Sequence, residues 1–264
     1  MHITVDDVTI NLIDAGSGDA IVLLHGFPFS HEIWEAQIGA LASTHRVIAP
    51  DCRGLGASGV TPGPYLMETL ASDVAALLDA LRVERATLVG HSLGGYVALA
   101  FFRMFRERVE RLALVCSRFS ADDVATAKSR YELADRLEKE GSEALVDAYA
   151  GRVLAPGADA RIAMRITEIA RAQRPGGAAA VLRGMAQRVS SEDLIDELDL
   201  PVLLVAGKRD VFVSRESLES VRNALPHAKL VACERSAHLP MLEEPAELTR
   251  VLEEFVRPSS PRGG

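Results

Sequence analysis

The 264-residue sequence predicts an α/β protein built on a doubly wound, mostly parallel sheet of eight strands, with helices on both faces. Short runs rich in Val, Ile and Leu recur along the chain, which suits strands buried on both faces of a parallel sheet. Stretches with apolar residues near a 3.6-residue period separate these runs, and this strand-helix alternation is typical of wound α/β folds. One long segment, residues 119–198, carries only the helical pattern and predicts a helical insertion.

The predicted elements follow in chain order. The first two strands alternate apolar and polar residues and form an antiparallel hairpin, at Ile3–Val5 and Val8–Ile13. Six buried strands follow, at Ile21–Leu24, Val47–Ala49, Ala86–Val89, Leu112–Val115, Val202–Val205 and Leu230–Val231. The helices outside the insertion are predicted at Glu32–Leu41, Tyr65–Leu81, Leu93–Phe105, Arg215–Ala224 and Glu244–Val256.

The helical segment divides the chain. Residues 1–118 and 199–257 form the two parts of the core, residues 119–198 a helical cap insertion, and residues 258–264 a disordered tail. Ligands of such sheets bind outside the carboxyl ends of the strands, so we expect the insertion to cover the binding crevice. A helical subdomain that only enlarges the core is the alternative.

Composition excludes several function classes. Against 29 Lys and Arg stand 37 Asp and Glu, and the net charge of -8 repels nucleic-acid phosphates and anionic membrane surfaces. The three scattered cysteines form no CxxC pair and predict neither a disulfide framework nor a metal site. The start of the sequence does not resemble a signal peptide, and no apolar run approaches the roughly 20 residues that span a bilayer. These features predict a cytoplasmic protein that binds a small molecule, and they leave its oligomeric state open.

A nucleophile is predicted where the third buried strand meets its helix. Gly90-His91-Ser92-Leu93-Gly94 places a G-x-S-x-G pattern between them. A serine on so sharp a turn sits in strained backbone, and glycines two residues to either side leave room for it. The amide of Leu93 then begins a helix, whose positive end favours a developing oxyanion. The alternative is that Ser92 is an ordinary helix N-cap.

A base and an acid are predicted at two further strand ends. A serine nucleophile needs a base, and the base needs a carboxylate to orient it. His238 follows the last predicted strand, and Asp210 follows the strand after the insertion. Two alternatives remain: Asp210 caps the helix that begins near Ser214, or the acid is Asp122 or Asp123.

The loop after the first buried strand supplies a second oxyanion donor. Gly26 allows a sharp turn, after which the amide of Phe27 can face the same oxygen as that of Leu93. Phe29 and Trp34 are candidates for contact with substrate, with a core position as the alternative for Trp34. Asp51 and Arg53 are predicted to pair with each other and steady the glycine-rich turn that follows them.

Together these motifs resemble the α/β-hydrolase superfamily over essentially residues 1–257. The resemblance rests on His25–Pro28, Asp51–Ser58, Gly90–Gly95, Gly207–Asp210 and Ala237–Pro240. It implies a nucleophile at Ser92, a base at His238, an acid at Asp210, oxyanion donors at Phe27 and Leu93, and no metal or organic cofactor. Within the superfamily the chain is similar to small bacterial serine esterases, enol-lactone hydrolases and cofactor-free perhydrolases.

The resemblance implies a serine hydrolase that cleaves a small to medium carboxylic ester through an acyl-enzyme. Cleavage of an enol-lactone or a C–C bond, and peracid formation, are alternatives that use the same triad. Pro28 directly follows the oxyanion residue, a position associated with peracid formation in related enzymes. A ligand receptor on the same fold is a further alternative, although receptors of this fold usually lose the triad.

Overall fold

The computed structural model describes residues 1–257, and the predicted disordered tail, 258–264, lies outside the described residues. One eight-stranded sheet runs through the molecule in the order β1-β2-β4-β3-β5-β6-β7-β8. Only the pairings of β2 with β1 and with β4 are antiparallel within the described chain. The strands are β1 His2–Val5, β2 Val8–Ala15, β3 Ala20–Leu24, β4 Arg46–Pro50, β5 Ala86–His91, β6 Val109–Val115, β7 Val202–Gly207 and β8 Lys229–Cys233. The predicted fold class is confirmed.

Helices cover both faces of this sheet. They are α1 Glu35–Leu41, α2 Met67–Ala80, α3 Leu93–Met104, α4 Val124–Glu140, α5 Glu143–Tyr149, α6 Ala160–Arg171, α7 Pro175–Ala186, α8 Arg215–Ala224, α9 Pro240–Glu243 and α10 Pro245–Val256. The stretch predicted as one helix from Glu32 begins instead as a 3₁₀ turn at His31–Trp34, which Ser30 caps through its side chain. No helix within residues 1–257 has both the length and the apolar character needed to cross a membrane.

Two apolar cores, one on each face of the sheet, explain the continuous hydrophobic runs of the strands. Side chains alternate between the faces of a strand. In β3, Val22 and Leu24 accordingly belong to one core, whereas Ile21 and Leu23 belong to the other. A strand between two such cores needs apolar residues at every position, as the sequence pattern indicated.

The segment 119–198, called the helical insertion below, lies across loops at the carboxyl ends of the strands. It carries α4 to α7. Its Gln173 side chain accepts a hydrogen bond from the amide of Gly56, in the loop after β4 (2.9 Å). The carbonyl of Val153 accepts one from the amide of His238, in the loop after β8 (3.0 Å). The insertion is therefore joined to two separate loops at the edge of the sheet where the predicted site residues lie.

The loop after β4 is held by an ionic network that differs from the predicted one. Asp51 accepts hydrogen bonds from the amide of His31 (2.7 Å) and the Nδ2 of Asn11 (2.9 Å). Burial opposes ionisation of Asp51. The hydrogen bonds from His31, together with the nearby rings of His25 and His31, nevertheless hold the pKa of this carboxyl well below its usual range. Arg53 instead pairs with Asp73 of α2 at 2.6 Å. The predicted pair is therefore wrong, because the two side chains leave the loop toward different elements.

Candidate active site

Ser92 occupies the turn between β5 and α3 with φ of 50° and ψ of -112°, a left-handed conformation that a residue with a Cβ adopts only under strain. Neighbouring hydrogen bonds hold it there. The Ser92 amide donates to the carbonyl of Val115 (3.0 Å), and the Ser92 carbonyl accepts from the hydroxyl of Ser117 (2.8 Å). The Ser92 side chain makes no capping hydrogen bond, which argues against a role as a simple N-cap.

The glycines of this turn are required by close approach of the backbone. A Cβ on Gly94 would overlap the carbonyl oxygen of Leu24 and lie 2.6 Å from its carbon. A Cβ on Gly90 would lie 2.5 Å from the carbonyl carbon of Gly94. Both contacts involve backbone, so neither can be relieved by a side-chain rotation. Glycine at both positions therefore lets the turn form without displacing the neighbouring backbone.

Replacing Gly94 with alanine is expected to lower the free energy of unfolding by about 1–3 kcal/mol, because β3 and α3 must move apart. Gly39→Ala is the matched control, since Gly39 lies exposed in α1 and a Cβ added there would meet no atom within 4 Å. That control should raise the free energy by up to about 1 kcal/mol through helix propensity. Denaturant unfolding of both variants measures the difference, and equal stability would contradict the packing argument.

His238 and Asp210 meet at the carboxyl edge of the sheet. The Nδ1 of His238 lies 2.8 Å from Oδ2 of Asp210, and the side chains are only 5% and 0% exposed. Since a carboxylate can only accept, Nδ1 carries the proton and Nε2 is left as the basic nitrogen. The other oxygen of Asp210 accepts from the amides of Phe212 (2.8 Å) and Val213 (3.3 Å). The carboxylate is thus fixed from two sides.

The alternatives for the acid are engaged elsewhere. Asp122 forms ion pairs with Arg118 and Arg130. Asp123 caps α4 by accepting from the amide of Thr126 (2.7 Å). The cap of α8 is Ser214, not Asp210. Among the weighed candidates, the structure therefore brings only Asp210 to His238.

Two further histidines hold the loops around Ser92. Burial lowers the pKa of His91 well below its usual value, and its neutral ring donates from Nε2 to the carbonyl of His238 (2.8 Å). This bond ties the residue before the serine to the proposed base. His25 accepts at Nε2 from the amide of Cys52 (2.9 Å) and donates from Nδ1 to the carbonyl of Gly26 (3.0 Å). Both histidines thus hold backbone groups of the loops around Ser92.

The two predicted oxyanion donors lie on loops that approach each other. A Cβ on Gly26 would be 3.2 Å from the Cβ of Ser92 and 2.6 Å from the Cε1 of His91, so the loop after β3 passes directly beside the serine. Within residues 1–257, the amides of Phe27 and Leu93 donate to no protein acceptor. Leu93 is the first residue of α3, where an amide has no partner within the helix. Of these two donors, Leu93 follows Ser92 directly in the chain, and Phe27 follows Gly26 on the loop that passes beside it.

Two glutamates that the sequence analysis missed hold the loop of His238. Glu244 accepts from the amides of Arg235 (2.8 Å) and Ser236 (3.0 Å). Glu243 accepts from Ala237 (2.8 Å) and, with its other oxygen, from Ala155 of the insertion (2.7 Å). Their position just after the histidine motif is the only signal in the sequence. Glu244 thus holds the loop before His238, and Glu243 joins the same loop to the insertion.

A cavity of about 550 Å³, a volume typical of small-molecule sites, opens beside Val211 and Phe212, the two residues after Asp210. Its lining includes Tyr149 and Phe212. The Phe212 ring lies 4.9 Å from the ring of His238, and the Tyr149 ring 5.6 Å from that of Phe27. The side chain of Phe212 thus separates the cavity from His238. Sequence patterns offered no signal for Tyr149, whereas Phe212 stands two residues after the predicted acid.

The structure places Phe29 and Trp34 in the core and not on this cavity. Phe29 is 1% and Trp34 0% exposed. The indole of Trp34 packs edge-on against His91, with ring centroids 6.4 Å apart. Both side chains belong to the core that also contains Ile21 and Leu23, where residues of strands and helices surround them. The ring of Trp34 therefore supports His91, the residue before Ser92.

Cys116 lies next to the pair of His238 and Asp210, with one ligand atom of each residue within 4.8 Å of the others. Such a trio could in principle hold a metal ion. Burial, however, raises the pKa of the Cys116 thiol far above its usual value, and the carboxylate is already bonded to the imidazole. A metal needs a thiolate here. The chemistry of the three groups fits a hydrogen-bonded network better than a metal site.

Comparison with known proteins gives a consistent family assignment. A family model described as alpha/beta hydrolase fold matches residues 19–245. Among solved structures, a thermophilic esterase from Thermogutta terrifontis, bound to malate, superposes with a TM-score of 0.94. It is 32% identical, and the match covers 97% of each chain.

Two curated relatives are similar over nearly their whole length. The pimeloyl-[acyl-carrier protein] methyl ester esterase of Aeromonas hydrophila is 29% identical, over 91% of this chain and 96% of that protein. The 3-oxoadipate enol-lactonase 2 of Acinetobacter baylyi is 25% identical, over 97% and 96%.

Proposed function

The chain belongs to the alpha/beta hydrolase family, and from this premise we propose that it is a serine hydrolase that cleaves a small to medium carboxylic ester. Ser92 is the nucleophile, His238 the general base and Asp210 the acid that orients it. The amides of Phe27 and Leu93 form the oxyanion hole. The helical insertion, residues 119–198, acts as a cap over the site.

The reaction follows from the groups at hand. The hydroxyl of Ser92 attacks the ester carbonyl while Nε2 of His238 takes its proton, and the oxyanion accepts from the two amides. Collapse of the tetrahedral species releases the alcohol, which receives the proton from His238. A water molecule, deprotonated by His238 in turn, then attacks the acyl-enzyme and releases the carboxylic acid and Ser92.

One observation carries the proposal: the hydrogen bond of 2.8 Å between His238 and Asp210. These residues are 28 positions apart, and the bond fixes the imidazole tautomer that leaves Nε2 basic. The loop of His238 is also tied to the residue before Ser92 through His91. A binding protein has no need of so specific an arrangement around a strained serine.

The scissile bond of the substrate lies at an acyl carbon. The named relatives act on a methyl ester and on an enol-lactone, and both reactions proceed at an acyl carbon. Hydrolysis of an enol-lactone is therefore the second candidate. Peracid formation rests on Pro28, which directly follows the proposed oxyanion residue Phe27. The cavity of about 550 Å³ beside Phe212 has room for the remainder of a small to medium ester.

Covalent labelling separates an enzyme from a receptor. We expect a fluorophosphonate probe to label the wild-type protein at Ser92, identified by mass spectrometry of the modified peptide, since an activated serine attacks phosphorus as it does a carbonyl carbon. A panel of short esters, lactones, and acetate with hydrogen peroxide then ranks the activities. Absence of labelling, or labelling at another serine, would contradict the proposal.

A further inference from the structure

The cavity beside the proposed triad is cationic, although the chain as a whole carries a net charge of -8. Its lining includes four arginines, Arg118, Arg130, Arg136 and Arg152, and one acidic residue, Glu132. A low-dielectric cleft lined by one sign of charge concentrates ligands of the other sign. The cavity therefore differs in sign from most of the exterior.

Three of the four arginines have carboxylate partners. Arg136 pairs with Glu140 at 2.8 Å on the exposed side. Arg118 and Arg130 share the single carboxylate of Asp122, which is 2% exposed. Two guanidinium groups against one carboxylate leave a positive charge uncompensated at this wall of the cavity.

Arg152 is the arginine without a partner. Unlike the other three, it forms no ion pair within residues 1–257, and its guanidinium lies 4.9 Å from the centre of the Phe212 ring. The same ring lies 4.9 Å from the ring of His238. Arg152 and the proposed base are thus separated by the width of one aromatic side chain. An anionic group on a substrate could reach Arg152 while its scissile bond lies at Ser92.

From this geometry we infer that the substrate is an ester that carries a carboxylate away from the scissile bond. Arg152 binds this carboxylate, and Arg118 and Arg130 add the positive field of the cavity wall. The inference rests on the proposed function and adds the substrate class to it. Tyr149 and Leu182 in the same lining leave apolar surface for the carbon chain between the two groups.

Two pairs of esters test the inference. The first pair has the carboxylate on the acyl side: the mono-nitrophenyl ester of adipic acid, and the same compound with its free carboxyl methylated. The second has it on the alcohol side: acetoxybenzoate and its methyl ester. The quantity compared is the ratio of kcat/KM for the anionic ester to kcat/KM for its methylated partner. We expect this ratio to exceed one for the wild type in at least one pair. Arg152→Gln should reduce the ratio about tenfold, as for loss of a charged hydrogen bond. Raising the salt concentration should also reduce it.

The controls isolate the charge of Arg152. Arg152→Lys should retain most of the preference. Arg161→Gln removes an arginine of the insertion that is 89% exposed and does not line the cavity, and it should leave the ratio unchanged. A ratio near one in both pairs for the wild type, or one unaffected by Arg152→Gln, would overturn the inference.

A binding measurement tests the inference independently of the proposed function. If none of the four esters is hydrolysed, the proposed function fails. Calorimetric titration of adipate into the Ser92→Ala protein still decides the inference: binding that Arg152→Gln weakens about tenfold supports it. Absence of binding, or binding that is equal in the two proteins, contradicts it.

Discussion

Replacing Ser92 with alanine is expected to lower kcat for ester hydrolysis by about 10⁴- to 10⁶-fold, as in other enzymes that depend on a serine nucleophile. Without the hydroxyl no acyl-enzyme can form, and only the oxyanion donors and binding contacts remain. The fold should survive, because alanine carries the same Cβ as serine and experiences the same strain at φ of 50°. Initial rates with a short nitrophenyl ester and thermal unfolding of the same samples measure the two effects.

Ser43→Ala is the matched control for this variant. Ser43 is exposed at the end of α1, where its hydroxyl donates to the carbonyl of Ala40. The Ser43→Ala protein should hydrolyse the ester at the wild-type rate. Turnover by Ser92→Ala within tenfold of wild type would remove Ser92 from the mechanism, and the activity would then have to come from another group.

The fold could be predicted because it depends on short-range patterns. A strand between two cores must be apolar at every position, as in Ile21–Leu24, and such runs are visible without any knowledge of the partners. The glycines around Ser92 are required by backbone contacts within the strand-turn-helix unit and against β3. Asp210 and His238 could be found because each lies in the loop after one of the last two strands, β7 and β8, which their apolar runs reveal.

The cavity could not be predicted, because its walls depend on which side of an amphipathic helix faces the sheet. Arg130 and Arg136 lie on the same helix, α4, yet one shares a buried carboxylate and the other pairs at the surface. Their sequence surroundings do not distinguish them. The same applies to Trp34, whose proximity to a loop motif suggested the pocket, although the helical turn directs it into the core.

The hydrogen bonds between the insertion and the loop of His238 suggest why the site and its cover are built together. The amide of His238 is bonded to Val153, and Glu243 bridges Ala155 and Ala237. Val153 follows Arg152 directly in the chain. The residue proposed to bind the substrate carboxylate is therefore held at a fixed place relative to the proposed base, as selection between charged and neutral esters requires.

Asp210→Asn is expected to lower kcat about 10⁴-fold at neutral pH. An asparagine can still accept from the amides of Phe212 and Val213 with its carbonyl oxygen, since these now bond to one oxygen of Asp210. Its NH₂ group would then face Nδ1 of His238 in place of the second oxygen. Because NH₂ can only donate, the imidazole must place its proton on Nε2, where it blocks the nitrogen that should receive the proton of Ser92. The loss should therefore appear in kcat with little change in stability.

The control for this step is Asp123→Asn, which also tests the remaining alternative for the acid. Asp123 follows β6 in the chain and caps α4, and asparagine caps a helix about as well as aspartate does. Its kcat should equal that of the wild type. If Asp123→Asn lost activity while Asp210→Asn retained it within tenfold, the orienting carboxylate would come from the insertion, and the hydrogen bond between Asp210 and His238 would be structural. Measured side by side on one ester, the two variants distinguish these assignments, because each changes a single carboxylate to an amide of the same shape.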